Sequence, residues 1–300
     1  MEKFPKLTII IPTFYPGPII NNCIDSLPEE VEIIIIDNGD DEELKNTIKK
    51  KKHNITHYKI GDVGLPKSFN FALNKAQNED ILITQPDVKF EKNTLYELIK
   101  ASKVYKNAGL LAPIIYEDQK YSMYNSLNLH LSKKGEIQTR KRIKNKNKIP
   151  SGDFCVEAVN ATTMLLKKSI LQKIGGWDEN IYTYLEDIDL CLKLRRNNFS
   201  IIKVNSAIVH HVGFGSHKKE NAKKSDLSRN WHFCWSSLYF RQKYYSKRHY
   251  RIYFFKIFLK YLFKSFVNIC LFRFEKFKRN FYRLRACVNY LVIKKSNFRV

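Results

Sequence analysis

The 300-residue sequence has few glycines (11) and few prolines (9), a scarcity that excludes a collagen-like, linker-dominated or disordered chain. It contains no C-x-x-C pair. Its six cysteines, Cys23, Cys155, Cys191, Cys234, Cys270 and Cys287, are widely scattered, which argues against a zinc ribbon or a disulfide framework. With no secretory leader ahead of them, a reducing cytoplasm is the expected compartment. Long apolar runs are missing as well. Residues 7–11 are followed at once by Pro12, Pro16 and Pro18, too short and too kinked for a signal-peptide core or a spanning helix. The apolar stretch 251–272 is interrupted by Lys256, Lys260 and Lys264, a cationic stripe that suits a helix lying on a bilayer rather than crossing it. No G-x-G-x-x-G follows the first apolar run and no G-x-x-x-x-G-K-[ST] occurs, which argues against a dinucleotide-binding fold and a P-loop enzyme.

Positive charge is what the sequence has in excess. Lys and Arg total 53 against 29 Asp and Glu, a formal charge of +24, which favours an anionic partner such as nucleic acid, acidic lipid or a phosphorylated substrate. Residues 241–300 carry seventeen Lys or Arg, a single acid (Glu275) and seventeen Phe or Tyr, so +16 of the charge lies in the last fifth of the chain. The expected organisation is therefore a nearly ordinary domain over 1–240 and a basic, aromatic tail over 241–300. At this length, with 44% hydrophobic residues, a sizeable core needs no staples.

Short β-branched runs alternate with helical patterns in the first third: 7–12 then 17–27, 31–37 then 41–51, 55–60 then 67–77, 80–85 then 92–105. Unbroken apolar runs such as 33–36 suit strands buried on both faces, and strict alternation means βαβ units with parallel strands. Ligands of such sheets bind beyond the carboxyl ends of the strands. Those ends read Pro12, Thr13 and Phe14; Asp37, Asn38 and Gly39; Gly61, Asp62, Val63 and Gly64; Gln85, Pro86 and Asp87. Acids, amides and glycines at four successive strand ends imply a polar ligand. Residues 117–148 read as an irregular Lys- and Asn-rich excursion, 154–166 as a strand-like run, 168–174 as a helix stopped by Gly175 and Gly176, 186–197 as a helix, and 200–210 as a last strand.

The densest acidic cluster is Glu186, Asp187 and Asp189 at a helix start, where free N–H groups and the dipole favour ionised carboxylates. One aimed into a cleft can act as a general base; taken alone, the cluster is equally an ordinary helix cap. Asp87 can supply part of a ligand set for a hard divalent cation, Mg²⁺ or Mn²⁺, whose other positions go to water and phosphate oxygens. His210 or His211 can complete that set. In isolation Asp87 is equally a turn residue after Pro86.

Six segments in order resemble glycosyltransferase family 2, in particular the branch that includes rhamnosyltransferases of bacterial surface polysaccharides. They are Ile9 to Pro12 with Thr13 and Phe14; Ile35 to Gly39; Gly64 with Asn70; Gln85, Pro86 and Asp87; Gly175, Gly176, Trp177, Asp178 and Glu179 with Tyr184, Glu186, Asp187 and Asp189; and His211, Val212 and Gly213 with Ser216. The resemblance implies an α/β fold, a single Rossmann-like A-type glycosyltransferase domain with a mostly parallel central sheet. It implies an inverting transferase moving a sugar from a dTDP- or UDP-sugar, rhamnose among the candidates, to a hydroxyl of a glycan or lipid-linked oligosaccharide. By the same resemblance Pro12, Thr13, Asp37, Asn38, Gly64, Asn70, Gln85 and Asp87 would meet the nucleotide-sugar donor, and Trp177, Asp178 and Glu186 the acceptor. Asp87 with His210 or His211 would hold the divalent metal, and Asp187 would be the base.

Departures from the pattern are Gln85 in place of the first acid of a D-x-D motif, Asp62 in a place often taken by Asn, the pair Asn160–Ala161, and Lys193 and Asn198 in the helix after the acidic motif. The tail matches no family motif. Its composition is that of basic amphipathic helices, read either as solvated or as docked on an anionic membrane, peripheral on the inner face of the cytoplasmic membrane. Two rivals remain. A nucleic-acid-binding protein explains +24 but leaves the acidic cluster 178–189 unexplained, so no nucleic acid is expected as a partner; a non-catalytic glycan-binding relative is opposed by the presence of both Asp87 and Asp187.

Overall fold

A computed structural model describes residues 6–117, 122–124, 129–131, 137–139, 151–212, 222–296 and 298. Its strands are β1 (Leu7–Thr13), β2 (Glu32–Asp37), β3 (Ile55–Lys59), β4 (Asp80–Thr84), β5 (Val88–Phe90), β6 (Ala108–Glu117), β7 (Ser122–Tyr124), β8 (Leu129–Leu131), β9 (Ile137–Thr139), β10 (Phe154–Cys155), β11 (Thr163–Lys167) and β12 (Ser200–His211). Its helices are α1 (Ile20–Asp25), α2 (Glu42–Lys49), α3 (Leu65–Lys75), α4 (Thr94–Val104), α5 (Lys168–Lys173), α6 (Glu186–Arg196), α7 (Ala222–Tyr244), α8 (Lys247–Cys270) and α9 (Phe274–Val292).

The main sheet runs β10-β12-β6-β11-β4-β1-β2-β3, with β5 paired to β12 and β7 to β6. β3, β2, β1 and β4 are parallel neighbours, as the alternation of elements predicts. β11 then runs antiparallel to both β4 and β6, while β6 and β12 are parallel to each other, so the sheet as a whole is mixed. All seven residues of β1 are buried. Leu7, Ile9, Ile11, Ile33 and Ile35 share a core with Ile20, Cys23 and Ile24 of α1, and Ile10 and Ile34 between them are equally buried, the two-sided burial expected of inner parallel strands. At the start of α2 the Asp41 carboxylate accepts from the N–H groups of Glu43 (3.0 Å) and Leu44 (3.4 Å), an N-cap that sets where the helix begins.

One expectation about the sheet is corrected and one strand is added. The strand-like run 154–166 is two strands, β10 and β11, which join different neighbours; Ala158 and Val159 between them are buried without belonging to either. No glycine or proline marks the break. β6 is not anticipated at all, because Pro113 interrupts its sequence; its partner β12 instead sends the buried Lys203 Nζ to the Pro113 carbonyl at 2.8 Å. Burial lowers the Lys203 ammonium to about 7. The expected division after residue 240 falls inside α7. The 117–148 excursion lies mostly outside the described residues.

The chain divides into two compact units. The first, Met1–Val63, Lys67–Trp177 and Asp187–His217, holds the main sheet. The second, Gly64–Pro66, Asp178–Glu186 and Lys218–Val300, is built on α7, α8 and α9. Its core gathers Trp231, Cys234, Trp235 and Leu238 from α7, Phe254 and Ile257 from α8, and Ala286, Cys287 and Tyr290 from α9.

Candidate active site

The carboxyl ends of β1 and β2 are tied together by polar contacts. Asn38 donates its backbone N–H to the Thr13 carbonyl (2.9 Å) and its side-chain amide to the same oxygen (3.2 Å), while Ser68 Oγ donates to Asn38 Oδ1 (2.7 Å). Thr13 Oγ1 donates to the Ile36 carbonyl (3.2 Å). Asp37 is fully buried, with one oxygen accepting from Gly39 N–H (2.8 Å) and the other from Asp41 N–H (2.9 Å). Burial by itself would raise this carboxyl, but His57 and the Asp41 and Gly39 N–H groups outweigh it and hold it below the usual carboxylate range. His57 Nε2 stands 3.6 Å from Asp37 Oδ2. Its place was readable in principle: Ile35 pairs with His57 across β2 and β3, and strand alternation puts Asp37 and His57 on one face.

Beyond β4, the Val88 N–H returns to the Gln85 carbonyl (3.3 Å), closing a turn with Pro86 and Asp87 at its centre, the place where proline's fixed φ is favourable. Asp87 is thus a turn residue and also a buried acid. β5 pairs antiparallel with β12, Val88 opposite His211, and His211 Nε2 lies 3.5 Å from Asp87 Oδ1. His210, one residue earlier, faces the other way: its Nε2 meets Glu91 Oε1 at 2.9 Å and its ring stacks on Tyr116. Of the two histidines only His211 is brought to Asp87. Among the described residues no group of three His, Cys, Asp or Glu forms a metal cage. An acid and an imidazole at one turn fit a cation held mainly by substrate phosphates.

Asp187 reaches the same end of the sheet by way of β11. Thr163 pairs with Thr84, and Gln85 N–H donates to the Thr162 carbonyl (3.2 Å). The residue just before, Ala161, donates its N–H to Asp187 Oδ2 (3.2 Å), and Ile188 N–H donates to Oδ1 (2.8 Å). The register of β11 on β4 therefore links the half-buried Asp187 to the Gln85–Pro86–Asp87 turn through the Ala161–Thr162 backbone. Tyr184 and Leu185, immediately before α6, both have left-handed backbones (φ 66° and 67°), strained conformations of the kind that cluster at functional sites. Burial pushes the Asp187 carboxyl up to about 6, against the opposing pull of the Ile188 and Ala161 N–H groups. Desolvation, not the helix dipole, sets its proton affinity.

Several residues with expected ligand roles also make contacts that hold the fold. Asn70 clamps Trp177, its Nδ2 donating to the Trp177 carbonyl and its Oδ1 accepting the Trp177 N–H, both at 3.0 Å. Trp177 is buried against Phe69. Gly176 (φ +58°) approaches so closely that a Cβ there would lie 2.5 Å from Asn70 Oδ1. Gly64 (φ +89°) leaves no room for a side chain beside Tyr182, whose carbonyl accepts the Leu65 N–H at 2.9 Å. Pro12 is buried inside β1, and Gln85 uses its main chain as described. Glu186 is buried at the first position of α6. Gly213 and Ser216 lie outside the described residues.

Asp178 is an anchor within the helical unit. It accepts from Tyr239 Oη (2.9 Å), Lys243 Nζ (2.6 Å) and Asn180 N–H (3.0 Å). Burial opposes its ionisation, yet Lys243 and the Asn180 N–H bring the carboxyl down to about 2. With the folded value below the unfolded one of about 3.9, this stabilisation is complete above pH ~4 and is lost as pH falls toward 2. Asp178→Ala is expected to cost on the order of 2 kcal/mol, read as a lower urea midpoint at pH 7. An unchanged midpoint with weakened acceptor binding would restore the acceptor role.

The sequence model of glycosyl transferase family 2 matches residues 8–174. A low-salt glycan biosynthesis hexosyltransferase, Agl10 of Haloferax volcanii, is 23% identical over 211 residues, 65% of this chain and 63% of its own length; the chain thus spans just under two thirds of that relative. The N-acetylglucosaminyl-diphospho-decaprenol L-rhamnosyltransferase of Mycobacterium tuberculosis is 22% identical over 237 residues, 68% of this chain and 76% of the relative. Among solved structures, the mannosyltransferase PcManGT from Pyrobaculum calidifontis, in complex with GDP-Man and Mn²⁺, superposes with a TM-score of 0.58 at 14% identity, over 98% of this chain and 89% of that one. The fold is of the A type shared with such glycosyltransferases. Because the family match covers more than half of a chain whose strand ends carry this set of acids, the chain belongs to glycosyl transferase family 2.

Proposed function

We propose that this chain is an inverting glycosyltransferase that moves a hexosyl or deoxyhexosyl group, rhamnose among the candidates, from a UDP- or dTDP-sugar to a hydroxyl of a glycan or lipid-linked oligosaccharide. The names of the hexosyltransferase and rhamnosyltransferase relatives support the sugar class. The observation that carries the reading is the register of β11 on β4, with the Ala161 N–H on Asp187 and the neighbouring Thr162 carbonyl on the Gln85 N–H that opens the Asp87 turn. Thr13, Asp37 and Asn38 would line the nucleoside end of the donor site. Asp87 and His211 would hold a divalent cation, which when bound neutralises charge on the leaving diphosphate. Asp187, ionised at pH 7 with a carboxyl near 6, takes the proton of the acceptor hydroxyl as its oxygen bonds to the anomeric carbon and the bond to the diphosphate breaks. Residues 241–300 would bring the enzyme to an anionic membrane surface, on the cytoplasmic side, where a lipid-linked acceptor resides.

The test is turnover by mass spectrometry with purified protein, a panel of UDP- and dTDP-sugars, Mn²⁺ and a lipid-diphosphate acceptor. A glycosylated product of inverted configuration is expected with at least one pair. UDP or dTDP with Mn²⁺ is also expected to raise the thermal midpoint. Nucleotide stabilisation without any transfer would favour the non-catalytic relative.

A further inference from the structure

α8 does not have the expected layout of one aromatic face opposite one basic face. It has two apolar faces. Phe254 and Ile257, with the partly buried Phe258 and Tyr261, face the core of the helical unit. On the other side Ile252, Phe255, Leu259, Leu262, Phe266 and Ile269 are each 44–65% exposed. Their spacing of three and four residues keeps them within an arc of about 120° along the helix. Lys256, Lys260 and Lys264, all exposed, lie in the arc next to this stripe. At the end of the stripe the turn into α9 carries Leu271, Phe272 and Phe274, with Phe272 79% exposed and held at φ 52°, and Arg273 and Lys276 close by in sequence.

An apolar stripe of this spacing has two natural occupants, a second copy of this chain or a lipid surface. Charge decides between them. α8 contains six Lys or Arg and no acid, so a copy packed against it would bring like charge to like charge, with no carboxylates on the helix to pair across the seam. An anionic bilayer offers hydrocarbon for the stripe and phosphate for the lysines. No helix among the described residues is long and apolar enough to cross a membrane.

We propose that the exposed face of α8, from Ile252 to Ile269, together with the Phe272 turn, is the surface that lies in the headgroup boundary of an anionic membrane, with Lys256, Lys260 and Lys264 on lipid phosphates. This rests on the reading of residues 241–300 given above and fixes which face carries it. The stripe is the insertion element and the lysines are the charge sensor, so the two respond differently to salt.

The experiment uses the full chain and vesicles of phosphatidylglycerol with phosphatidylcholine, against phosphatidylcholine alone. Flotation is expected with the anionic vesicles only. Phe255→Gln/Leu259→Gln/Phe266→Gln is expected to lower partitioning at least tenfold. Lys256→Glu/Lys260→Glu/Lys264→Glu is expected to lower it on the order of a hundredfold at low salt, at about fivefold per lysine, and to flatten the salt dependence. Because the chain's three tryptophans, Trp177, Trp231 and Trp235, are buried, Phe266→Trp adds an exposed reporter whose emission brominated lipid should quench. That reading keeps the test decisive even if a triple variant folds poorly. Flotation of both triple variants equal to that of the parent, with no quenching at position 266, would show that another part of the tail meets the lipid and would overturn this face. A dimer in vesicle-free solution that Phe255→Gln/Leu259→Gln/Phe266→Gln dissociates without changing flotation would assign the stripe to a second copy. Binding of duplex DNA that abolishes flotation in neither variant but tracks the lysines would assign it to nucleic acid. Donor stabilisation by UDP or dTDP is expected to be unchanged in all variants; its absence in the parent would remove the transferase reading and leave the docking face standing.

Discussion

Asp187→Asn is expected to lower turnover by about two to four orders of magnitude, the span of general-base loss, while nucleotide binding stays normal. Asn keeps the shape of the side chain but has no basicity, and its single amide oxygen can accept from only one of the Ala161 and Ile188 N–H groups. In the parent, the pH profile of kcat should rise with pH and level off above about 6, where the carboxyl loses its proton; in Asp187→Asn that limb should be absent. Stability should move the other way. The folded value lies above the unfolded one of about 3.9, so the native state holds the proton longer, and stability declines as pH rises from about 4 to about 6. At pH 7 the charged, desolvated carboxylate is a cost that Asn removes, offset by the loss of one of the two N–H contacts, so the variant should be about as stable as the parent. A low turnover with an unchanged or raised thermal midpoint separates catalysis from folding. Near-normal activity would move the role to Glu186 or Asp189.

Metal dependence is expected to be nearly complete, and to distinguish two adjacent histidines. EDTA should abolish turnover and added Mn²⁺ restore it. Asp87→Ala should remove at least two orders of magnitude of activity at any practical Mn²⁺ concentration, since a Lewis acid on a leaving diphosphate contributes several kcal/mol to its departure. His211→Ala should weaken Mn²⁺ by about tenfold to a hundredfold, whether the imidazole binds the ion directly or only orients Asp87. His210→Ala should change nothing in Mn²⁺ titrations, because its ring is engaged with Glu91 and Tyr116. With so few protein ligands, Mn²⁺ and nucleoside diphosphate should each tighten the other's binding by the same factor. Full activity after exhaustive EDTA treatment would sink the proposal, and equal effects of the two histidine variants would contradict the His211 assignment.

The sequence alone determined the parallel half of the sheet, because four apolar runs, each followed by a helical pattern, leave few other ways to bury both faces. It also determined where to look, since ligands of such sheets gather at strand ends, and it located the +16 tail. It did not determine the second half of the sheet. β6 was hidden by Pro113 and the β10–β11 break by the lack of any glycine or proline between them, and both depend on pairings between residues far apart in the chain. The same holds for the site. That Asp87 meets His211 and not His210 follows from the register of β5 on β12, and a one-residue slip would exchange them. The high proton affinity of Asp187 comes from burial, and burial is made by elements that a local reading of a helix start cannot include. Trp177, Asp178 and Asn70 stand in motif positions, and the packing and anchoring contacts they make could not be read from those positions. Spacing could place lysines and aromatics on α8. Which of its apolar faces is turned inward was decided by the packing of α7 and α9, which bury one and leave the other exposed.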